Sequence, residues 1–179
     1  TLLGILNGSI TKASDLPPSA PNGTIAHVVG VDEQNTLADY YLKYHSSENV
    51  WKETVAPGIK TTLDPATMPH FIIKTSTNNG IASFQIVEAG DTGLSNQRYA
   101  SLFTDRLVGD EDSNPIPSFV GGPIIDLLFY RNRLMYLGKD SLVMSGSNDY
   151  FNLFNDSAIR ALGSDPIDIF LGTNYSVRA

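Results

Sequence analysis

Short β-branched and aromatic runs, each closed within a few residues by Gly, Pro, Asn or Asp, constrain this chain more than any other feature. Ile25, His27, Val28, Val29 and Val31 are followed, across the polar stretch Asp32 to Asn35, by Tyr40, Tyr41, Leu42, Lys43 and Tyr44, which reads as a hairpin. Trp51 to Val55 continues it as a third strand, closed by Pro57-Gly58 in a type II turn. Leu63 to Pro69 reads as one helical turn, with Asp64 as its cap, Pro65 at the first position and Pro69 as its stop. Phe71 to Thr75 resumes a strand, and Asn78-Asn79-Gly80 turns it into Ile81 to Val87. That strand carries apolar groups on both faces, so it is expected to be covered on both sides.

The punctuation also divides the chain. Residues 1–23 read as an irregular segment, since prolines and Asn22-Gly23 make Asp15 to Gly23 a loop. Residues 24–106 read as a β-rich domain, and 107–123 as an ordered Gly/Pro loop. Residues 124–179 open with three short runs, Ile124 to Leu128, Arg133 to Leu137 and Ser141 to Ser145, split by Arg131-Asn132 and Gly138-Lys139-Asp140. Strands so closely spaced describe a β-meander or one four-stranded propeller blade. A helical turn is expected at Ala158 to Leu162, followed by a loose end. The fold class is therefore mainly β.

Composition narrows the function. A hydrophobic share of 41% over 179 residues suffices for a core. No apolar run reaches the roughly 18 residues of a membrane-spanning helix. With 12 Lys+Arg against 19 Asp+Glu, the net charge of -7 argues against gripping nucleic acid by phosphate neutralisation, though not against a surface that DNA slides past. The absence of Cys removes disulfides, thiolate ligands and Cys nucleophiles, and His27, His45 and His70 have no zinc-type spacing. The Thr1 start, without a signal-peptide pattern, and the Ala179 end are read as those of a segment of something longer.

Motifs of chemistry are weak. Asp110-Glu111-Asp112-Ser113-Asn114 imitates the start of an EF-hand loop, but Pro115 stands where Gly is needed and Gly121 where a bidentate Glu is needed. A solvated acidic turn is favoured over a calcium site. Ser9-Ile10-Thr11-Lys12 has a serine acyl-enzyme spacing without its companion motifs. The 19 acids would supply a glycosidase pair by chance alone. Tyr130-Arg131-Asn132-Arg133 is basic enough to stack on a nucleic-acid strand, but a guanidinium tying strand-end carbonyls, or bridging to Asp126 or Asp149, is favoured. Trp51 with Tyr40, Tyr41 and Tyr44 is read as core or cross-strand pairs rather than a sugar-binding face.

Longer motifs carry a resemblance. Arg106-Leu107-Val108-Gly109-Asp110-Glu111-Asp112-Ser113-Asn114-Pro115-Ile116-Pro117-Ser118-Phe119-Val120-Gly121 is followed by Ile125-Asp126, Phe129-Tyr130-Arg131-Asn132-Arg133-Leu134 and Ser145. Then come Asp149-Tyr150-Phe151-Asn152-Leu153-Phe154 and Ser164-Asp165-Pro166-Ile167-Asp168, with Trp51-Lys52-Glu53, Pro57-Gly58 and Thr67-Met68-Pro69-His70 upstream. In this order, from about Tyr40 to Asp168, they resemble the tail tubular protein B family, the tail nozzle proteins of short-tailed, podovirus-type phages.

The resemblance implies a fragment of a larger tail protein, with a β-rich platform-like part in 24–106 and propeller-blade-like strands in 124–179. It implies a virion structural role without catalytic residues, cofactor or metal: a homo-hexameric ring below the tail adaptor protein, near the tail fibres. Phage DNA would pass through its channel without specific binding. The alternative is a tail-associated carbohydrate-binding or glycan-hydrolysing module. The residues expected to matter shape the loop: Gly109, Asp110, Asn114, Pro115, Pro117 and Gly121 by backbone geometry, and Phe119 as its anchor in the core. Asp126 is expected to pair with Arg131 or Arg133, and Tyr150 and Phe151 complete the motif.

Overall fold

The computed structural model of the chain describes residues 5–6, 10–30, 39–89 and 103–172. Within them the chain is mainly β, with 3₁₀ turns at Ala13–Asp15 and Pro65–Thr67. It divides into two compact units, each assembled from three separate stretches.

The first unit comprises Thr1–Thr61, Arg106–Ile116 and Phe154–Asp165. Its sheet has the order β1 (Ile5–Leu6), β2 (Ile25–Val28), β3 (Tyr40–His45) and β4 (Val50–Thr54). β1 runs parallel to β2, and the other pairs are antiparallel. Ile25, Ala26, Val28, Leu42 and Tyr44 are buried. Tyr44 faces Trp51 across β3 and β4, with ring centroids 5.2 Å apart, so these aromatics form the expected cross-strand pair. The Trp51 indole donates to Pro17 O at 3.0 Å and ties the proline loop to the sheet. Gly58 has φ +85°, as the type II turn requires. The expected Asp32 to Asn35 turn lies outside the described residues.

Ala158 to Leu162 is not helical. The Glu53 carboxylate accepts from Ala158 N at 2.8 Å, and that of Asp165 accepts from Leu162 N at 2.6 Å. The contact at Ala158 N would suit a helix start, but Leu162 N, which would close the turn on Ala158 O, is taken by the Asp165 carboxylate instead.

The second unit comprises Thr62–Asp105, Pro117–Leu153 and Pro166–Ala179. The Asp64 cap forms as expected, its Oδ1 accepting from Ala66 N at 3.1 Å. β5 (Phe71–Asn78) and β6 (Ile81–Val87) make a two-stranded hairpin, turned by Asn79 and Gly80 at φ +49° and +79°. Contrary to expectation, β6 is not covered on both sides. It pairs only with β5, and Ile81, Phe84 and Ile86 are exposed, because no second layer lies against the hairpin within the described residues.

β7 (Ile124–Tyr130), β8 (Arg133–Gly138) and β9 (Ser141–Met144) form the expected meander. A fourth strand, β10 (Ile167–Phe170), pairs antiparallel with β9, so the end that composition describes as loose completes a four-stranded sheet. Met68, Ala89, Phe103, Phe119, Tyr136, Val143 and Leu153 form this unit's core. Phe71, Phe103 and Phe151 meet edge-on or tilted at 5.6–6.2 Å beside it.

Candidate functional site

The longest sequence motif is divided between the units: residues through Ile116 belong to the first, and Pro117 onward to the second. In the first unit the loop is organised around Arg106, whose side chain is 0% exposed. Nε donates to Lys60 O at 3.2 Å, and Nη1 to Asp110 O at 3.3 Å and Asn114 O at 3.0 Å. Nη2 donates to Glu111 Oε1 at 2.7 Å and also to Lys60 O. These bonds match the five donors of a guanidinium, which Lys could not reproduce. The Phe154 ring lies 5.5 Å from Cζ and completes the cage.

Around this cation the backbone is stitched on all sides. Arg106 N donates to Thr61 O at 2.8 Å, Gly109 N to Thr54 O at 3.2 Å, and Ala56 N to Gly109 O at 2.8 Å. Gly109 sits at φ +79°, and a Cβ there would lie 2.7 Å from Ser113 Oγ and 3.0 Å from Asn114 Cβ, so only glycine fits. The buried Asn114 amide donates to Val108 O and Asn155 O at 3.0 and 3.1 Å and accepts from Asn155 N at 2.9 Å. It behaves as a backbone unit supplied by a side chain. Pro115 is exposed beside it.

The acidic run is a turn built on Asp110. Its Oδ1 accepts from Asp112 N, Ser113 N and Ser113 Oγ at 2.8–3.1 Å. Burial pushes the Asp110 carboxyl up, but the Ser113 and Asp112 hydrogen bonds outweigh it and hold the group below the usual carboxylate range. The hydrogen bond from Arg106 likewise holds Glu111 low. Among the described residues no cluster of His, Cys, Asp or Glu could hold a metal ion. Nearby, His27 Nε2 lies 3.1 Å from Asp39 Oδ2 and stacks on Tyr41 at 4.6 Å. Burial, then Asp110 and Asp39, raise the Tyr41 hydroxyl.

In the second unit the motif becomes an anchor. Phe119 is buried and stacks on Tyr136 at 4.9 Å, 18° from parallel. Burial also raises the Tyr136 hydroxyl, which donates to Tyr150 O at 3.3 Å. Pro117 is buried, and its carbonyl accepts from Val120 N at 2.9 Å. Gly121 has φ +84° with open space around it. Asp168 on β10 accepts from Ser118 N at 2.7 Å and Ser118 Oγ at 2.5 Å, fastening the loop to the sheet.

The expected ion pair between Asp126 and Arg131 or Arg133 does not form. Asp126 Oδ1 accepts from Leu127 N at 2.8 Å. Arg131, at φ +47° in the β7–β8 turn, holds its guanidinium 5.3 Å from the Tyr130 ring centroid. Arg133 Nη1 donates to Ser145 O at 2.6 Å, so one of its contacts is a carbonyl just beyond the end of β9. Tyr150 packs edge-on against Phe129 at 5.3 Å, and Phe151 belongs to the aromatic cluster.

Sequence reasoning missed three residues that organise the site: Arg106, Asp168, and Glu53, which also accepts from Ser157 Oγ at 2.9 Å. All lie inside the motifs quoted for the resemblance. A useful signal was an Arg placed a few residues ahead of a Gly/Asn/Pro loop rich in free carbonyls.

The family profile described as bacteriophage nozzle protein matches residues 1–176. The chain belongs to the bacteriophage nozzle protein family. Tail tubular protein gp12 of Escherichia phage T7 is 34% identical to it over 161 residues, 90% of this chain. The chain spans 18% of that relative's length. As a nozzle-family chain, it devotes its longest motif to holding a loop in two places, by the caged Arg106 and by the buried Phe119.

Proposed function

We propose that this chain is a structural part of the nozzle of a short phage tail, within the virion, and that its parent protein forms the ring and DNA-ejection conduit below the tail adaptor. The family match across residues 1–176 carries this reading. The relative's name, tail tubular protein, agrees with it.

In finer detail, the parent is a homo-hexamer that contacts the adaptor and the tail fibres. The β7–β10 meander is a propeller blade, and residues 24–106 belong largely to a platform. The role needs no catalysis, and the motif serves rigidity: a wall passed by DNA under pressure must not deform, and a caged guanidinium with a buried aromatic supplies stiffness at both ends of one loop. The net charge of -7 suits a conduit, since a negative wall repels phosphates and lets DNA move without adhering.

Mass photometry of the full-length protein with and without its adaptor tests the reading. Ring-sized particles that bind the adaptor support it. A monomer that ignores the adaptor, or sugar release from host glycans, overturns it.

A further inference from the structure

The chain holds three Asn-Gly pairs: Asn7-Gly8, which lies outside the described residues, Asn22-Gly23 and Asn79-Gly80. Asn is a chemically labile side chain, and most so before glycine, whose amide nitrogen no side chain shields. That nitrogen can attack the Asn side-chain carbonyl if both groups are free to meet. The fold treats the two described pairs differently.

At Asn22-Gly23 both reacting groups are held. Gly23 N, the attacking nitrogen, donates to Tyr44 O on β3 at 2.9 Å. Asn22 Oδ1, on the attacked amide, accepts from Ser46 N at 3.1 Å. At Asn79-Gly80 neither is. The β5–β6 ladder ends at the pair Asn78 and Ile81, so Asn79 and Gly80 stand beyond it, and both are exposed. Among the described residues Gly80 N donates to no backbone carbonyl, and the Asn79 side chain has no hydrogen-bond partner. Beyond its chain neighbours, nothing lies within 4 Å of the place a Gly80 Cβ would take.

We propose that Asn79 is a self-modifying site, converted to aspartate and isoaspartate in the folded protein without an enzyme, and that the fold protects Asn22. Gly80 N gives up its proton and bonds to Asn79 Cγ. The Cγ–Nδ2 bond breaks, and Nδ2 leaves as ammonia, carrying a proton in place of the one Gly80 N released. Water then opens the cyclic imide at either carbonyl. Opening at Cγ leaves an aspartate side chain on the ordinary backbone. Opening at the main-chain carbonyl leaves isoaspartate, whose backbone is one carbon longer. No electrons are transferred. The extra carbon falls in a two-residue turn whose φ values of +49° and +79° suit the strand twist. β5 and β6 pair with no other strand, and a lone hairpin is marginal in water, so isoaspartate loosens it while adding a negative charge at its tip. This inference does not depend on the nozzle reading.

The test ages the full-length protein at mildly alkaline pH, folded and in urea, and follows both positions by peptide mass spectrometry, with isoaspartyl methyltransferase labelling to count isoaspartate. In the folded protein Asn79 is expected to convert at least roughly tenfold faster than Asn22, because two hydrogen bonds must open before Asn22 can react. In urea the two are expected to convert at similar rates, which shows that the fold and not the dipeptide makes the difference. Equal rates at the two positions in the folded protein, or an Asn79 that stays intact when folded yet converts in urea, would overturn the proposal.

Discussion

Replacing Arg106 by Leu is the sharpest perturbation of the loop. It removes the donors from three carbonyl oxygens, those of Lys60, Asp110 and Asn114. The Asn114 contact is buried and the other two are partly buried. A buried acceptor left without a donor costs about 1–3 kcal/mol; taking ~2 for Asn114 and ~1 for each of the others gives about 4 kcal/mol. The Glu111 pair adds no more than about 1 kcal/mol, since that carboxylate is 54% exposed. The sum is a large part of a typical domain stability of about 5–15 kcal/mol. Urea denaturation of the 179-residue chain, followed by its single Trp, measures the loss. Arg106→Lys separates fork from charge: it keeps the cation but cannot span the carbonyls, so it is expected to recover less than half of the lost stability. A loss below about 1 kcal/mol for the Leu variant, or full recovery by Lys, refutes the caged-fork account.

Gly109→Ala meets a left-handed backbone and a 2.7 Å clash with Ser113 Oγ, and is expected to cost about 2–3 kcal/mol; Gly121→Ala, equally left-handed but unobstructed, should cost only about 1. Equal shifts in melting temperature would remove the steric half of that argument. Phe119→Ala empties the space against Tyr136 and is expected to cost about 3–5 kcal/mol in thermal or chemical unfolding; a surface-like loss under 1 kcal/mol would place the ring outside the core. Asp110 and Glu111 are held below their ordinary values in the fold, so their stabilisation is present above about pH 4–5 and lost as pH falls through the lowered values. Denaturation midpoints from pH 7 to 3 should therefore fall at the acid end, less steeply in Asp110→Asn, and an unchanged slope in that variant would exclude the Asp110 turn as a contributor. Arg133→Leu removes the donor to Ser145 O and should lower stability by about 1–3 kcal/mol, read by the same unfolding curves.

Local patterns were legible wherever their cause was local. The Asp64-Pro65 cap, the Gly58 turn and the three strands after Ile124 follow from φ preferences and alternation, which act over a few residues. The loop's glycine and the Phe119 anchor were also readable, since Gly and a lone aromatic between prolines carry their constraints with them. Where the outcome depended on a distant partner, reading along the chain failed. Glu53, missed along the chain, bonds Ser157 and Ala158, 104 and 105 positions away. β10 becomes a strand because β9 offers it an edge. β6 looked like a doubly covered strand because apolarity records what a strand can bury, not what is present to bury it.

By itself the sequence determined the β class, several turn positions, the lack of thiols and, through its long motifs, the family. Tertiary structure alone decided that Arg106 would be a caged hub rather than a surface cation, that Asp126 would bond its own strand instead of an arginine, and that each unit would be assembled from three separate stretches. The physical reason is reach: turn and strand preferences are properties of neighbouring residues, whereas a buried charge is tolerated only where carbonyls converge on it, here from the Lys60 stretch as well as its own loop, and that convergence exists only once the chain has folded.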